Sequence, residues 1–176
     1  ALDLDKLATH QVGSLIEIIR GQWRPEHADL AMFTGGSDIS PNLYNEPYGS
    51  RTYDNPSRDA HEVEMFNFFR SEEIPMIGIC RGGQFLNVMS GGRMYQDVTH
   101  HVGPHCIVDK ETGETVYVSS THHQMMMPSD EGKVIATSVN VHSHREWYDQ
   151  EVFKKDVSDM DYEVVYYAST QCLCFQ

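Results

Sequence analysis

Cys80 is the residue whose surroundings in the sequence point most directly to chemistry. In PMIGICRGGQFLNVMSGG, residues 75–92, an apolar run leads straight into a cysteine and the cysteine into a helical pattern. Met76, Ile77 and Ile79 predict a short buried strand after Pro75, and Gly78 and Gly82 flank Cys80 at the spacing G-x-C-x-G. This is the thiol form of the nucleophile elbow, a strand-to-helix turn that presents a nucleophile at the carboxyl end of a strand. Glycines on both sides let the backbone turn without a clash. A helix over about residues 82–89 then points its amino terminus at the sulfur. Its free N–H groups and dipole favour thiolate, so the expectation is a lowered thiol pKa, helped by the positive charge of Arg81. The same turn aims the Arg81 backbone N–H at the place where an oxyanion would form when sulfur attacks a carbonyl. The competing reading is an inert buried thiol, the common fate of a free cysteine; it leaves the paired glycines without a purpose.

A catalytic thiol needs a second oxyanion donor, and Gly35-Gly36, after an expected strand at 30–33, can supply one. Without Cys80 the pair would read as an ordinary turn. Arg58, Asp59 and Glu62 fit the charged first turn of a solvated helix as well as they fit a functional role, and Ser57 is the expected cap of that helix. His100, His101, His105 and Cys106 cluster, but at no common zinc spacing, so no metal site is expected there. His122 and His123 are the candidate bases if these residues alone must supply one. The stretch 141–150, VHSHREWYDQ, reads as irregular, either lining a substrate mouth or forming an exposed loop.

Several stretches in order resemble one family: TGGSDISP at 34–41 with Tyr44 and Glu46, then Arg58-Asp59 with Glu62, GICRGGQFLNV with GGRMYQDV at 91–98, and His122-His123-Gln124. Together, over residues 28–176, they resemble the class I glutamine amidotransferases, and within them the branch typified by gamma-glutamyl-gamma-aminobutyrate hydrolases. The resemblance implies a cysteine nucleophile that cleaves a gamma-glutamyl amide through a glutamyl thioester. It makes Cys80 that nucleophile and the amides of Gly36 and Arg81 the oxyanion hole. It also implies that Gln84 meets the substrate carboxamide and that Thr121 and His122 meet its amino-acid end. The family's catalytic histidine and glutamate, in an H-P-E motif, are expected just after the strand that CLCFQ forms. Both ends of the chain therefore read as trimmed.

The function classes left open are a self-contained gamma-glutamyl hydrolase, a glutaminase module feeding ammonia to a synthase partner, and a degenerate relative kept for binding. The intact Cys80, Gly36 and Gln84 count against the last. No cofactor is expected. Thirteen Lys plus Arg against 26 Asp plus Glu give a formal charge of −13, which disfavours nucleic acid. No apolar run approaches the ~18 residues that span a bilayer, and no secretory signal is visible. Four cysteines do not suggest a disulfide framework, and an amide-cleaving thiol needs a reducing compartment, so cytoplasm is expected.

The elements that must position these residues alternate as in α/β proteins. Val12, Leu15, Ile16 and Ile19 follow a helical period, as do Val63, Met65, Phe66 and Phe69. Short strands are expected at 107–108, 115–118, 133–137 and 164–167, and Cys172 and Cys174 should share one sheet face. The expected architecture is a single α/β domain over 1–176. Its sheet is flavodoxin-like and doubly wound, with mostly parallel central strands and a β-rich second half. The site belongs at the carboxyl ends of the central strands.

Overall fold

The computed structural model describes residues 28–176, and the helical pattern at Val12 to Ile19 lies outside them. Strand β1 (Ala31–Phe33) leads through a loop and a 3-10 turn (Pro41–Tyr44) to helix α1 (Pro56–Ser71), strand β2 (Met76–Ile79) and helix α2 (Arg81–Met89). Strands then dominate: β3 (Arg93–Tyr95), β4 (Asp97–Val98), β5 (His105–Asp109), β6 (Thr115–Val118) and β7 (Met125–Met127). They are followed by β8 (Lys133–Ser138), β9 (Ser143–Asp149), β10 (Val152–Ser158), β11 (Tyr162–Tyr167) and β12 (Cys172–Phe175).

The main sheet has seven described strands in the order β1-β2-β12-β11-β8-β5-β6. β1 pairs parallel with β2, and β12 pairs parallel with β2 on its other side. Every further pairing, from β12 to β11 and on to β6, is antiparallel. The sheet is therefore mixed, with its described parallel part confined to β1, β2 and β12. The tight β5-β6 turn and the short β11-β12 connection return the chain beside itself, which only antiparallel pairing permits.

β2 sits between two neighbours and is read in register with both: Gly78 lies opposite Phe33 of β1 and Cys174 of β12. One face of this strip packs on the helices. Phe33 stacks on Phe85 at 5.3 Å, and Phe66 meets the edge of Phe85 at 6.4 Å. Phe85 and Leu86 are fully buried, each contributing roughly 1.5–3 kcal/mol relative to exposure. Cys172 and Cys174 share this buried face, so packing accounts for both.

Two local expectations are corrected. The cap of α1 is Asn55, whose side chain accepts from the Arg58 N–H at 3.1 Å, and not Ser57. Pro56 takes the first helical position, where a missing N–H costs nothing, and moves the cap back to the residue before it. The stretch 141–150 is not irregular: Ser143–Asp149 is a strand paired along its length with β10. Its sequence, SHREWYD, shows no apolar alternation: the buried position is Ser143, and the neighbours Trp147 and Tyr148 meet Tyr95 and Phe153 on opposite faces. Among the described residues no helix is long and apolar enough to cross a membrane.

Candidate active site

β2 and α2 are joined by Cys80 alone. Cys80 is the N-cap residue of α2, with φ 54° and ψ −119°, a conformation costly for any side-chain-bearing residue. The distortion is held on both sides. The Cys80 N–H donates to the Phe175 carbonyl at 2.8 Å, and the Cys80 carbonyl accepts from the Gln84 N–H at 3.0 Å. Close approach requires glycine at 82, because a Cβ there would lie 3.0 Å from Phe33 Cβ and nearer still to its carbonyl. The elbow expected from G-x-C-x-G is thus built, with α2 starting at Arg81.

The thiol is half-buried. Burial pushes its pKa up; the Arg81 backbone N–H acts in the opposite direction, and the Asp38 carboxylate raises it further. The expectation of a lowered pKa is therefore not met by the described residues. The Arg81 guanidinium adds no free positive charge at the sulfur either. It is buried and ion-paired with Asp59 and Glu62, while its Nε donates to the Ser37 carbonyl at 3.1 Å.

This clamp is what the sequence left undecided. Arg58, Asp59 and Glu62 are not a solvated first turn. Arg58 donates from Nη1 to the Gly35 carbonyl at 3.0 Å and from Nη2 to the Thr34 carbonyl at 2.8 Å, with its Nε on Glu62 at 2.8 Å. Asp59, 2% exposed, accepts from the Ser40 N–H at 3.0 Å as well as from Arg81. Two arginines and two carboxylates thereby bind residues 34–40 to the start of both helices. The i, i+1, i+4 spacing in one helix turn was the available signal, but it cannot show that Arg81 lies on the far side.

Within that loop Gly36 has φ 153°, and a side chain there would run into the Arg58 guanidinium. Its N–H has no hydrogen-bond partner among the described residues. Gly35 lies against Cys80, a Cβ at that position falling 3.7 Å from Cys80 Cβ. The loops after Phe33 and Ile79 do meet, as adjacent parallel strands dictate.

The other candidates are brought together among themselves. Gln84 is buried and donates its amide to the Gln124 carbonyl at 3.0 Å. The same carbonyl accepts from His122 Nδ1 at 2.9 Å and from the Gln176 amide at 3.1 Å. His122 Nδ1 carries the proton of that bond, and its buried Nε2 has no hydrogen-bond partner among the described residues. Burial lowers its pKa to about 3, His101 opposing protonation further. Such an imidazole is a poor general base. Thr121 is exposed in an isolated bridge with Val102. His123 reaches Asp38 at 3.1 Å, and Asp38 Oδ2 accepts from the Tyr53 N–H at 2.8 Å. Asp38 is held above the usual carboxylate range by burial, the Tyr53 N–H and His123 partly offsetting it. Among the described residues no histidine hydrogen-bonds to Cys80. His101, His105 and Glu163 form a further cluster with metal-ligating atoms. Clefts lined by Gln96, Trp147 and Phe153, and by Asn42, Glu46 and Gln150, do not include Cys80. The strained elbow at Cys80, not a cleft, is therefore what singles out a candidate site.

A family model described as Peptidase C26 matches residues 26–145. The chain is 33% identical over 129 residues to a putative glutamine amidotransferase-like protein, YvdE, of Lactococcus lactis subsp. lactis, covering 59% of this chain and 53% of that protein. It is 35% identical over 104 residues to Protein NtpR of Enterococcus hirae, covering 58% and 43%. The chain spans about half the length of these curated relatives. Among solved structures, a glutamine amidotransferase of Thermotoga maritima superposes with a TM-score of 0.56 at 14% identity, covering 89% of this chain and 56% of that one. A putative GMP synthase component of Thermoplasma acidophilum superposes with a TM-score of 0.50 at 13% identity, covering 85% and 62%. These two likenesses concern the fold.

Proposed function

The chain belongs to the Peptidase C26 family, within the class I glutamine amidotransferase superfamily, and we propose that Cys80 is the nucleophile of a gamma-glutamyl amide hydrolase. The observation that carries this is the Cys80 conformation, φ 54° and ψ −119°, on the strand-to-helix junction with Gly35 in contact. Glycine-rich backbone and a four-residue ion-pair network hold that arrangement, and a structural thiol has no use for either.

In this reading Cys80 Sγ adds to the side-chain carbonyl of glutamine or a gamma-glutamyl amine, and the carbonyl electrons move onto oxygen. The N–H groups of Gly36 and Arg81 are the donors for that oxyanion. The C–N bond then breaks, the amine takes a proton and departs, and a glutamyl thioester remains. Water cleaves the thioester to glutamate and free thiol. Both proton steps need an acid–base group. His122 is unsuited to it, and the resemblance to the family puts that group on the H-P-E motif beyond the CLCFQ strand. Gln84 would meet the substrate carboxamide, and Thr121 and His122 its amino-acid end, with Gln84 and His122 both anchored on the Gln124 carbonyl. The parallel strip β1-β2-β12 is consistent with a doubly wound sheet, and the thiol chemistry with a reducing compartment such as cytoplasm.

The test is labelling with a diazo-ketone glutamine analogue. Cys80 should react before Cys106, Cys172 and Cys174, and Cys80→Ala should remove both the label and amide hydrolysis. Equal labelling of the four thiols would refute the assignment. A second reading, a glutaminase module that passes ammonia to a synthase, draws on the fold shared with the GMP synthase component. Such a module stays nearly silent without its partner, whereas a hydrolase turns over alone.

A further inference from the structure

Away from Cys80, the interior holds a group of histidines and carboxylates for which the thiol mechanism has no use. His101 is fully buried and its Nε2 pairs with Asp161 Oδ2 at 2.8 Å. Asp161, also fully buried, accepts in addition from the Ser143 hydroxyl and faces Arg145 Nη1 at 3.4 Å. A carboxylate engaged this way is an acceptor, so the proton of the pair sits on His101 Nε2. His101 Nδ1 is then a lone pair, buried without a hydrogen-bond partner, 3.6 Å from Glu163 Oε1. A second proton there would be a buried donor beyond hydrogen-bond range. Glu163 Oε1 also lies 3.0 Å from His105 Nε2.

We propose that His101, His105 and Glu163 form a binding site for one divalent transition-metal ion of the zinc class, with Asp161 orienting His101 from behind. One ligand atom from each residue lies within 4.8 Å of the others. Bonds of ~2.1 Å around a tetrahedral centre separate ligand atoms by ~3.4 Å. The separations from Glu163 Oε1, 3.6 Å to His101 Nδ1 and 3.0 Å to His105 Nε2, bracket that edge, and the ligand atoms of the two imidazoles lie within 4.8 Å of each other. The carboxylate–histidine arrangement behind His101 is the usual support of a metal-bound imidazole. Charge agrees: Asp161 and Glu163 are buried carboxylates, the arginine that faces Asp161, Arg145, is already paired with Asp156, and a divalent cation offsets the two negative charges that remain.

Such an ion is a staple. In the sheet, β5 and β11 are separated by β8, so an ion shared by His105 and Glu163 ties strands that do not pair. It also anchors the loop carrying His101, on which the His122 ring lies at 4.7 Å between centroids. Spacing along the chain could not reveal the site, because Glu163 stands 58 residues from His105.

The experiment titrates the purified, chelator-stripped protein with Zn(II) and, separately, with Co(II). One equivalent of zinc should bind and raise the thermal midpoint, and cobalt should give ligand-field bands without a sulfur-to-cobalt charge-transfer band. In the wild type, zinc should shift the imidazole resonances of His101 and His105 but leave exposed His144 unmoved. Glu163→Gln and His105→Gln should each weaken binding by at least ~100-fold, and Asp161→Asn by ~10–100-fold. Sub-stoichiometric uptake, a sulfur-to-cobalt band, unmoved His101 and His105 resonances, or wild-type affinity in Glu163→Gln would each overturn the proposal. The wild-type spectra decide the matter if the variants fail to fold.

Discussion

Gly82→Ala should separate the folding role of the elbow from its chemical role. A methyl at position 82 would lie 3.0 Å from Phe33 Cβ and closer to the Phe33 carbonyl, where the obstacle is backbone that no rotamer change can move. Carbon atoms in good contact sit ~3.5–4.0 Å apart, so β1 and α2 must separate by ~1 Å. β1 runs directly into Thr34, Gly35 and Gly36, and the displacement therefore reaches the loop facing Cys80. Overpacking of this kind costs about 1–3 kcal/mol of stability, while a misplacement of ~1 Å at the reacting centre costs ~10²-fold in rate. Urea denaturation would measure the first. The second is read from two labelling rates: a diazo-ketone glutamine analogue, which needs the assembled site, should slow ~100-fold, whereas iodoacetamide, which needs only the thiol, should change by no more than about threefold. Gly35→Ala is the control with the opposite balance. Its methyl meets Cys80 Cβ at an ordinary 3.7 Å, so stability should hold while the analogue is hindered. Wild-type rates with both reagents in Gly82→Ala, at unchanged stability, would refute the argument that β1 and α2 are held together by the missing side chain.

Arg81→Met leaves Asp59 and Glu62 without their buried cation and should cost about 3–5 kcal/mol in urea denaturation. Adding Asp59→Asn and Glu62→Gln should restore part of that stability, and a loss below about 1 kcal/mol in the single variant would show the network to be solvent-screened. For Cys80, a raised pKa means the folded protein keeps the neutral thiol until pH passes its raised value. The iodoacetamide rate should thus keep climbing through and beyond the ordinary thiol range; a plateau near neutral pH would mean that the α2 amino terminus holds a thiolate after all.

Local signals carried the central element. The apolar run at 76–79, the glycines around Cys80 and the helical pattern after it determine a strand, a sharp turn and a helix, because each rests on backbone sterics or on a short-range period. The strands around 107–108, 115–118, 133–137 and 164–167 and the shared face of Cys172 and Cys174 were legible for the same reason, whereas β3, β4, β7 and β10 were not anticipated. Nor was the 143–149 strand, since its buried Ser143 is polar and its aromatic residues Trp147 and Tyr148 are neighbours on opposite faces, which leaves no alternation to read. Nor could the sequence say what its charges do. Arg58, Asp59 and Glu62 have the same spacing whether they meet water or Arg81, and only the packing of α1 beside α2 buries them. Nor could the sequence show that Gln84 and His122, distant along the chain, are anchored on one carbonyl at Gln124. The state of the Cys80 thiol depends on how much water is removed from the sulfur and how near Asp38 comes, and both are set by chain segments more than forty residues apart. Short-range order is written in neighbouring residues, while desolvation and charge pairing exist only once distant segments have met.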